Sequence, residues 1–546
     1  LEPAGLPNNM YRYLFFVLFL AGGCRDHQVS DKQVFRYNQP EGLTTLDPAF
    51  AKSQPVMWIT HQLYNTLVEI QADLRIHPSL AKNWEISPDG LTYRFFLKDS
   101  VFFHDSPVFP DGRGRKLISD DVVYSLGRIL DPSVASPGAW IFRGRVDSIT
   151  PFRAVDSLTV EIKLQKPFPP ILGILSMQYC SIVSKEAVQQ FGKDFRRNPV
   201  GTGPFVMKSW EEGQNLILHR FERYFETDST GHRLPYLDAV KLSFLDNKAT
   251  EFMEFRQGRL DFVNDIEASF KDEILSKTGN LKPEWESRIQ MFKTPYLNTE
   301  YLGILYDTSN SLLAASPLRW KKVRQAMNHA IDRRKMMMYL RNSIGTPAES
   351  GFVPAGLPSF SMEKVKGYRY DPVKARQLLK EAGYTSDAEI ITLKTIPIYA
   401  ELGAFVAKQL EDVGMKVKVE TVQRATLLEE IAKSKALFFR GSWIADYPDA
   451  ENYLSVFYSR NPAPPNYTRF KNAQFDALYD KALTETNDSA RYGIYQQMDQ
   501  IVMNEAPVIP LWYDMAIHLV RPGITGFQPN SLNLLELRRT KIAISY

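Results

Sequence analysis

Ten consecutive residues, Arg440-Gly441-Ser442-Trp443-Ile444-Ala445-Asp446-Tyr447-Pro448-Asp449, bring a cation, a carboxylate and two aromatic rings together. Asp446 can accept two or three charge-assisted hydrogen bonds from an ammonium, Trp443 can form an apolar wall, and Arg440 can fork onto a carboxylate. The same residues also read as a plain turn, because Asp and Pro both favour turns, so spacing alone leaves the two readings open. Elsewhere the chain offers little for catalysis. Its eight histidines never fall at zinc-ligand spacing, and it has no G-x-S-x-G elbow, no phosphate loop and no dinucleotide fingerprint. Gly201-Thr202-Gly203-Pro204 resembles a phosphate cradle only superficially: it lacks a lysine, and Pro204 removes a backbone donor, which favours a structural turn. His329, beside a helical apolar stripe, and Cys180, in the apolar run Met177 to Val183, read as core residues.

The elements around the polar segment alternate between strand and helix. Ile390 to Ile396, Met415 to Val422 and Ala436 to Trp443 read as strands, with helices from Leu402 to Val413 and Leu427 to Lys433 between them. This is a βαβαβ unit with a parallel sheet, and ligands of open α/β sheets bind just beyond the carboxyl ends of the strands, where Asp446 falls. Further helices are expected after Ser316-Pro317, after Asp371-Pro372, from Gln474 to Thr484 and from Ala490 to Met503. Between Gln33 and about Pro199 the texture is mainly strands and turns, with one helix opened by Ser119-Asp120-Asp121.

The chain has 546 residues, 44% hydrophobic and 23% charged, which fits a globular protein with a full core and excludes disorder and coiled coil. A net charge of +4 without a long basic run argues against a nucleic-acid partner. Tyr13 to Ala21 is apolar but too short to span a bilayer. It follows Met10 and Arg12 and leads into Leu20-Ala21-Gly22-Gly23-Cys24. Residues 10–24 thus resemble a bacterial lipoprotein signal, which implies that Cys24 is acylated and becomes the first mature residue. Only Cys180 would then remain as a thiol, so no intrachain disulfide is expected.

Seven marks in order along the chain resemble the dipeptide- and oligopeptide-binding proteins of bacterial ABC importers, family 5 of the extracellular solute-binding proteins. They are Leu46-Asp47-Pro48, Leu80 to Tyr93, Ser119 to Ser125, Pro199 to Phe205, Val323 to Arg333, Asp371 to Tyr384, and Trp443 to Asp449. The resemblance implies an α/β, two-lobed periplasmic-binding-protein fold of the large class, its lobes joined by a double crossover hinge. Lobe one would comprise residues 33–291 plus 507–546, with an extra subdomain at about 58–198, and lobe two residues 292–506. By the same resemblance Asp446 grips a peptide's α-amino group and Arg440 contacts a ligand carboxylate. The backbone around Ser442, Trp443 and Tyr447, with Lys52, Ser53 and Gln54, sandwiches the peptide main chain as added strands.

The implied function is that of a substrate-binding component delivering short peptides to membrane permease subunits. It would be a monomer on the periplasmic or extracytoplasmic face, lipid-anchored through Cys24, without cofactor, metal or nucleic acid. The family also contains binders of nickel chelates and sugars, and a ligand sensor would use the same closure. An enzyme pairing Asp446 with Asp449 or Glu451 is the rival from another class.

Overall fold

The computed structural model describes residues 32–385 and 388–543, with the side chains of residues 268 and 269 outside the description. Cys24 and the signal-like segment therefore lie outside the described residues. Two long strands stand in the middle of the large sheet, Gln290–Ile304 and Val508–Val520, paired antiparallel. Their ladder breaks between Pro295 and Thr299. On one side of the break, residues 290–295 pair with 515–520; on the other, residues 299–303 pair with 508–513. An interruption of this kind bends strands locally, and here it separates two halves of one sheet.

The lobe-two half runs in the order Val417–Thr421, Ile391–Thr395, Phe438–Ile444, then the crossing strands. The first three are mutually parallel, the βαβαβ unit expected from periodicity. Alternate residues bury into opposite layers: Leu302, Ile304, Leu393 and Phe438 into one helical layer, Tyr301, Phe439 and Val508 into the other. The lobe-one half continues through Phe262–Asn264, Val34–Asn38, Ala239–Ser243, Asn215–Arg220 and Phe205–Glu211. A separate antiparallel sheet runs in the order Ala81–Ile86, Thr92–Leu97, Thr159–Lys163 and Phe152–Asp156, and its core is continuous with that of lobe one.

Ile509, Leu511 and Trp512 on the second long strand pack in the same core as Leu302 and Ile304 on the first. One expectation shifts. Gln54, expected within an extended segment, opens the helix Gln54–Leu63, with Ser53 in extended geometry as its cap and Pro55 in the first turn, where a missing N–H costs nothing. The Gly201–Gly203 turn docks onto the end of that helix. A side chain at Gly203 would meet Leu63 carbonyl carbon at 2.4 Å, so close backbone approach explains the glycine. His104 bonds Gly203 O at 2.9 Å, which consumes the turn's polar groups structurally. His329 is likewise satisfied, bonding Arg369 O at 3.0 Å, and Cys180 is buried with its thiol pushed up by burial.

Candidate functional site

A cavity of about 320 Å³ lies between the lobes. Lobe one supplies Lys52, Gln54, Met57 and Trp58, the rings of Trp140 and Tyr179, and the Leu532–Leu534 loop; lobe two supplies Ile444 to Tyr447; Tyr296, inside the register break, lines it from the hinge. Trp58 is fixed by donating from Nε1 to Asn533 O at 2.5 Å, while Asn533, at φ 53°, accepts at Oδ1 from His518 Nε2 at 2.8 Å. The walls are thus mostly aromatic and aliphatic, with few polar groups, the usual composition of a ligand cleft.

Asp446 follows directly on the Phe438–Ile444 strand and opens into the cavity. Its carboxyl is accessible from the cleft, yet protein encloses it closely. Burial raises it above the usual carboxylate range, and a hydrogen bond from Asn452 opposes the rise. Asn452 is the brace of the site: Nδ2 donates to Asp446 Oδ2 at 3.2 Å, and Oδ1 accepts from Asp446 N at 3.3 Å and Trp443 Nε1 at 3.0 Å. It stands on the short helix Ala450–Leu454, whose cap is Asp449, accepting from Glu451 N at 2.9 Å. Periodicity gives no sign of Asn452, because its role depends on how the chain turns after Tyr447.

Of the residues singled out from sequence, Asp446, Tyr447, Lys52 and Gln54 come together on the cavity wall, and Arg440, Ser442, Trp443 and Ser53 do not line it. Trp443 packs half-buried against the lobe-two core. The Arg440 guanidinium pairs with Glu300 on the first crossing strand and stacks 3.6 Å from the centre of the Tyr399 ring. Glu300 is buried, and burial pushes its carboxyl up to about 7, against the pull of Arg440. Tyr447 faces both ways: it is buried in the lobe-one core, and its hydroxyl donates to Glu451. Glu451 also accepts from the Tyr479 hydroxyl, and Asp449 lies 3.6 Å from Arg491, so both acids of the enzymatic pairing are engaged away from the cavity wall. Gly173 on lobe one stands against Tyr447, and a methyl there would sit at ordinary van der Waals distance, 3.5 Å from Tyr447 Cβ. The lobes therefore touch at the mouth of the cleft.

The main chain of the Phe438–Ile444 strand has a further property. Its ladder to Ile391–Thr395 covers only Phe438 and Phe439, whereas its other edge pairs with the first crossing strand from Ile304 to Asn298. Beyond Phe439 that strand has one sheet neighbour rather than two.

Residues 75–464 match the model of the bacterial extracellular solute-binding proteins, family 5, middle region. The chain is 29% identical over 489 residues to heme-binding protein A of Haemophilus influenzae, covering 86% of this chain and 84% of that protein. It is 27% identical over 497 residues to the glutathione-binding protein GsiB of Salmonella paratyphi A, covering 89% of this chain and 90% of that one. The solved periplasmic binding protein DppA of Helicobacter pylori, in complex with the peptide STSA, superposes with a TM-score of 0.74 at 24% identity, over 94% of this chain and 98% of that one.

Proposed function

The chain belongs to the bacterial extracellular solute-binding proteins, family 5, and on that premise we propose that it captures short peptides between its lobes and delivers them to the permease of an ABC importer. One observation carries this reading: the interlobe cavity presents a single carboxylate, Asp446, whose only side-chain hydrogen-bond partner among the described residues is the neutral amide of Asn452. A partly enclosed anion with no ion pair, on which Arg145 acts only at longer range, favours a ligand that brings a cation, and a peptide's α-ammonium does so. The strand edge open beyond Phe439 supports main-chain pairing, which binds peptides without reading their sequence. Closure of the lobes over the ligand would give the permease a shape to sense. The residues preceding the described structure support a lipid anchor at Cys24, which tethers the protein to the membrane surface. Cys24→Ala should release it into the soluble fraction; unchanged membrane association would reject the anchor.

Asp446→Asn keeps the side chain's shape and removes its charge. Titration calorimetry should show affinity for a free-amine peptide falling about a hundredfold, about 2.7 kcal/mol. The N-acetylated analogue, already weak, should change little. Equal losses for both ligands would make Asp446 a turn residue. Binding of glutathione or heme, the ligands named for the two relatives, with no response to any other peptide would replace the peptide reading.

A further inference from the structure

The cavity holds one acidic and one basic side chain, and they stand on different lobes: Asp446 on lobe two and Lys52 on lobe one. Lys52 is exposed, and among the described residues its ammonium has no ion pair, hydrogen bond or ring contact. This sets it apart from other cations near the cleft. Arg440 is taken up by Glu300 and Tyr399, Arg145 bonds Trp140 O at 2.8 Å, and Arg538 in the adjoining cavity is met by Glu69, Glu226 and Glu536 within 3.0 Å. Resting on the peptide reading above, we propose that Lys52, not Arg440, binds the ligand's carboxylate. Lys52 and Asp446 then grip opposite ends of a zwitterionic peptide of about two or three residues.

Three further observations fit this assignment. A cavity of about 320 Å³ lies at the low end for ligand sites and suits a short peptide. Because the two charges belong to different lobes, a ligand neutralising both links them, whereas a ligand with one charged end engages one lobe only. Trp58, Trp140, Tyr179 and Tyr296 wall the space between, where side chains of such a peptide would lie.

The test uses alanyl-phenylalanine and alanyl-phenylalanyl-alanine, each as the free acid and as the C-terminal amide, titrated into the full chain. The parent protein should bind each acid at least about tenfold more tightly than its amide. Lys52→Met should lose at least about tenfold for the acids and almost nothing for the amides, and Lys52→Arg should recover part of the loss, with thermal unfolding unchanged because Lys52 is exposed. Amides that bind the parent as tightly as acids, or equal losses for both in Lys52→Met, would overturn the assignment while leaving peptide binding intact. No binding of either peptide in any form would remove the peptide reading and this assignment with it.

Discussion

Arg440 and Asp446 stand six residues apart in one polar segment, yet they belong to different regions of the molecule. The hinge-facing end is closed upon itself. Arg440 pairs with Glu300 and covers Tyr399, while nearby Arg341 holds Asp514 at 2.6 Å and Asn298 bonds Asp514 at 3.2 Å. The cleft-facing end is left open, since Asp446 has a neutral brace and space in front of it. A charge becomes available to a ligand only where the fold has not already neutralised it, and residue type cannot reveal which has happened. At the hinge, internal pairing serves to hold two crossing strands in register; in the cleft, the missing partner is what creates affinity.

The sharpest way to break this contrast is at Arg440. Arg440→Met should strand Glu300 and cost about 3 to 5 kcal/mol of stability, read by denaturant unfolding, while peptide affinity shifts by less than about threefold. Adding Glu300→Gln should restore most of the loss. The pH dependence gives a second reading. Glu300 titrates near 7 in the folded protein, above its ordinary value of 4.5. A raised acid stabilises the fold below its unfolded pKa, and that contribution is lost as pH rises through about 7. Without Arg440 the carboxyl rises further, so the variant's deficit should shrink as pH falls from 8 to about 5. A large affinity loss at unchanged stability would instead make Arg440 a ligand residue.

Asp446→Asn should show the opposite pattern: the hundredfold loss of binding proposed above, with stability equal or slightly higher. Its carboxyl is raised by burial, so ionised Asp446 does not favour the folded state. Its small stability gain should appear at neutral pH and vanish in acid, where the parent carboxyl is protonated. A marked loss of stability would mean that the open end of the segment is structural after all.

The fold was largely legible because periodicity is local. The expected strands at 390–396 and 436–443 appear as Ile391–Thr395 and Phe438–Ile444, and the expected helix at 402–413 as Ala400–Glu411. The helix Gln54–Leu63 falls in a region read as mainly strands and turns, although Ser53 and Pro55 mark its start and the buried Val56, Ile59 and Thr60 stand at helical spacing. Asp446 was legible from its place at a strand end. The engagement of Arg440 was not, because Glu300 lies 140 residues earlier on a strand whose register only the assembled sheet defines. The aromatic walls at Trp140, Tyr179 and Tyr296 were invisible for the same reason: each comes from a different stretch of chain.

Asn452 joins the two ends of the segment, and its removal should give the smallest of these effects. Its amide orients Asp446 from two sides and fixes Trp443, which lies between Asp446 and Arg440 in the chain. Asn452→Ala leaves the carboxylate in place but frees its rotamer and removes the one hydrogen bond that lowers its pKa. Losing an orienting hydrogen bond to a charged group costs about 1 to 2 kcal/mol, so peptide affinity at neutral pH should fall about tenfold, well short of the loss in Asp446→Asn. Because the ammonium needs the ionised carboxylate, a further rise in the Asp446 pKa should make binding weaken at higher pH on the acid side than in the parent protein. In Asp446→Asn that acid limb should be absent, so the double variant should resemble Asp446→Asn alone. Calorimetry of the four proteins between pH 4.5 and 7.5 reads this directly: independent, additive losses would show that Asn452 supports Trp443 and the helix behind it rather than the carboxylate.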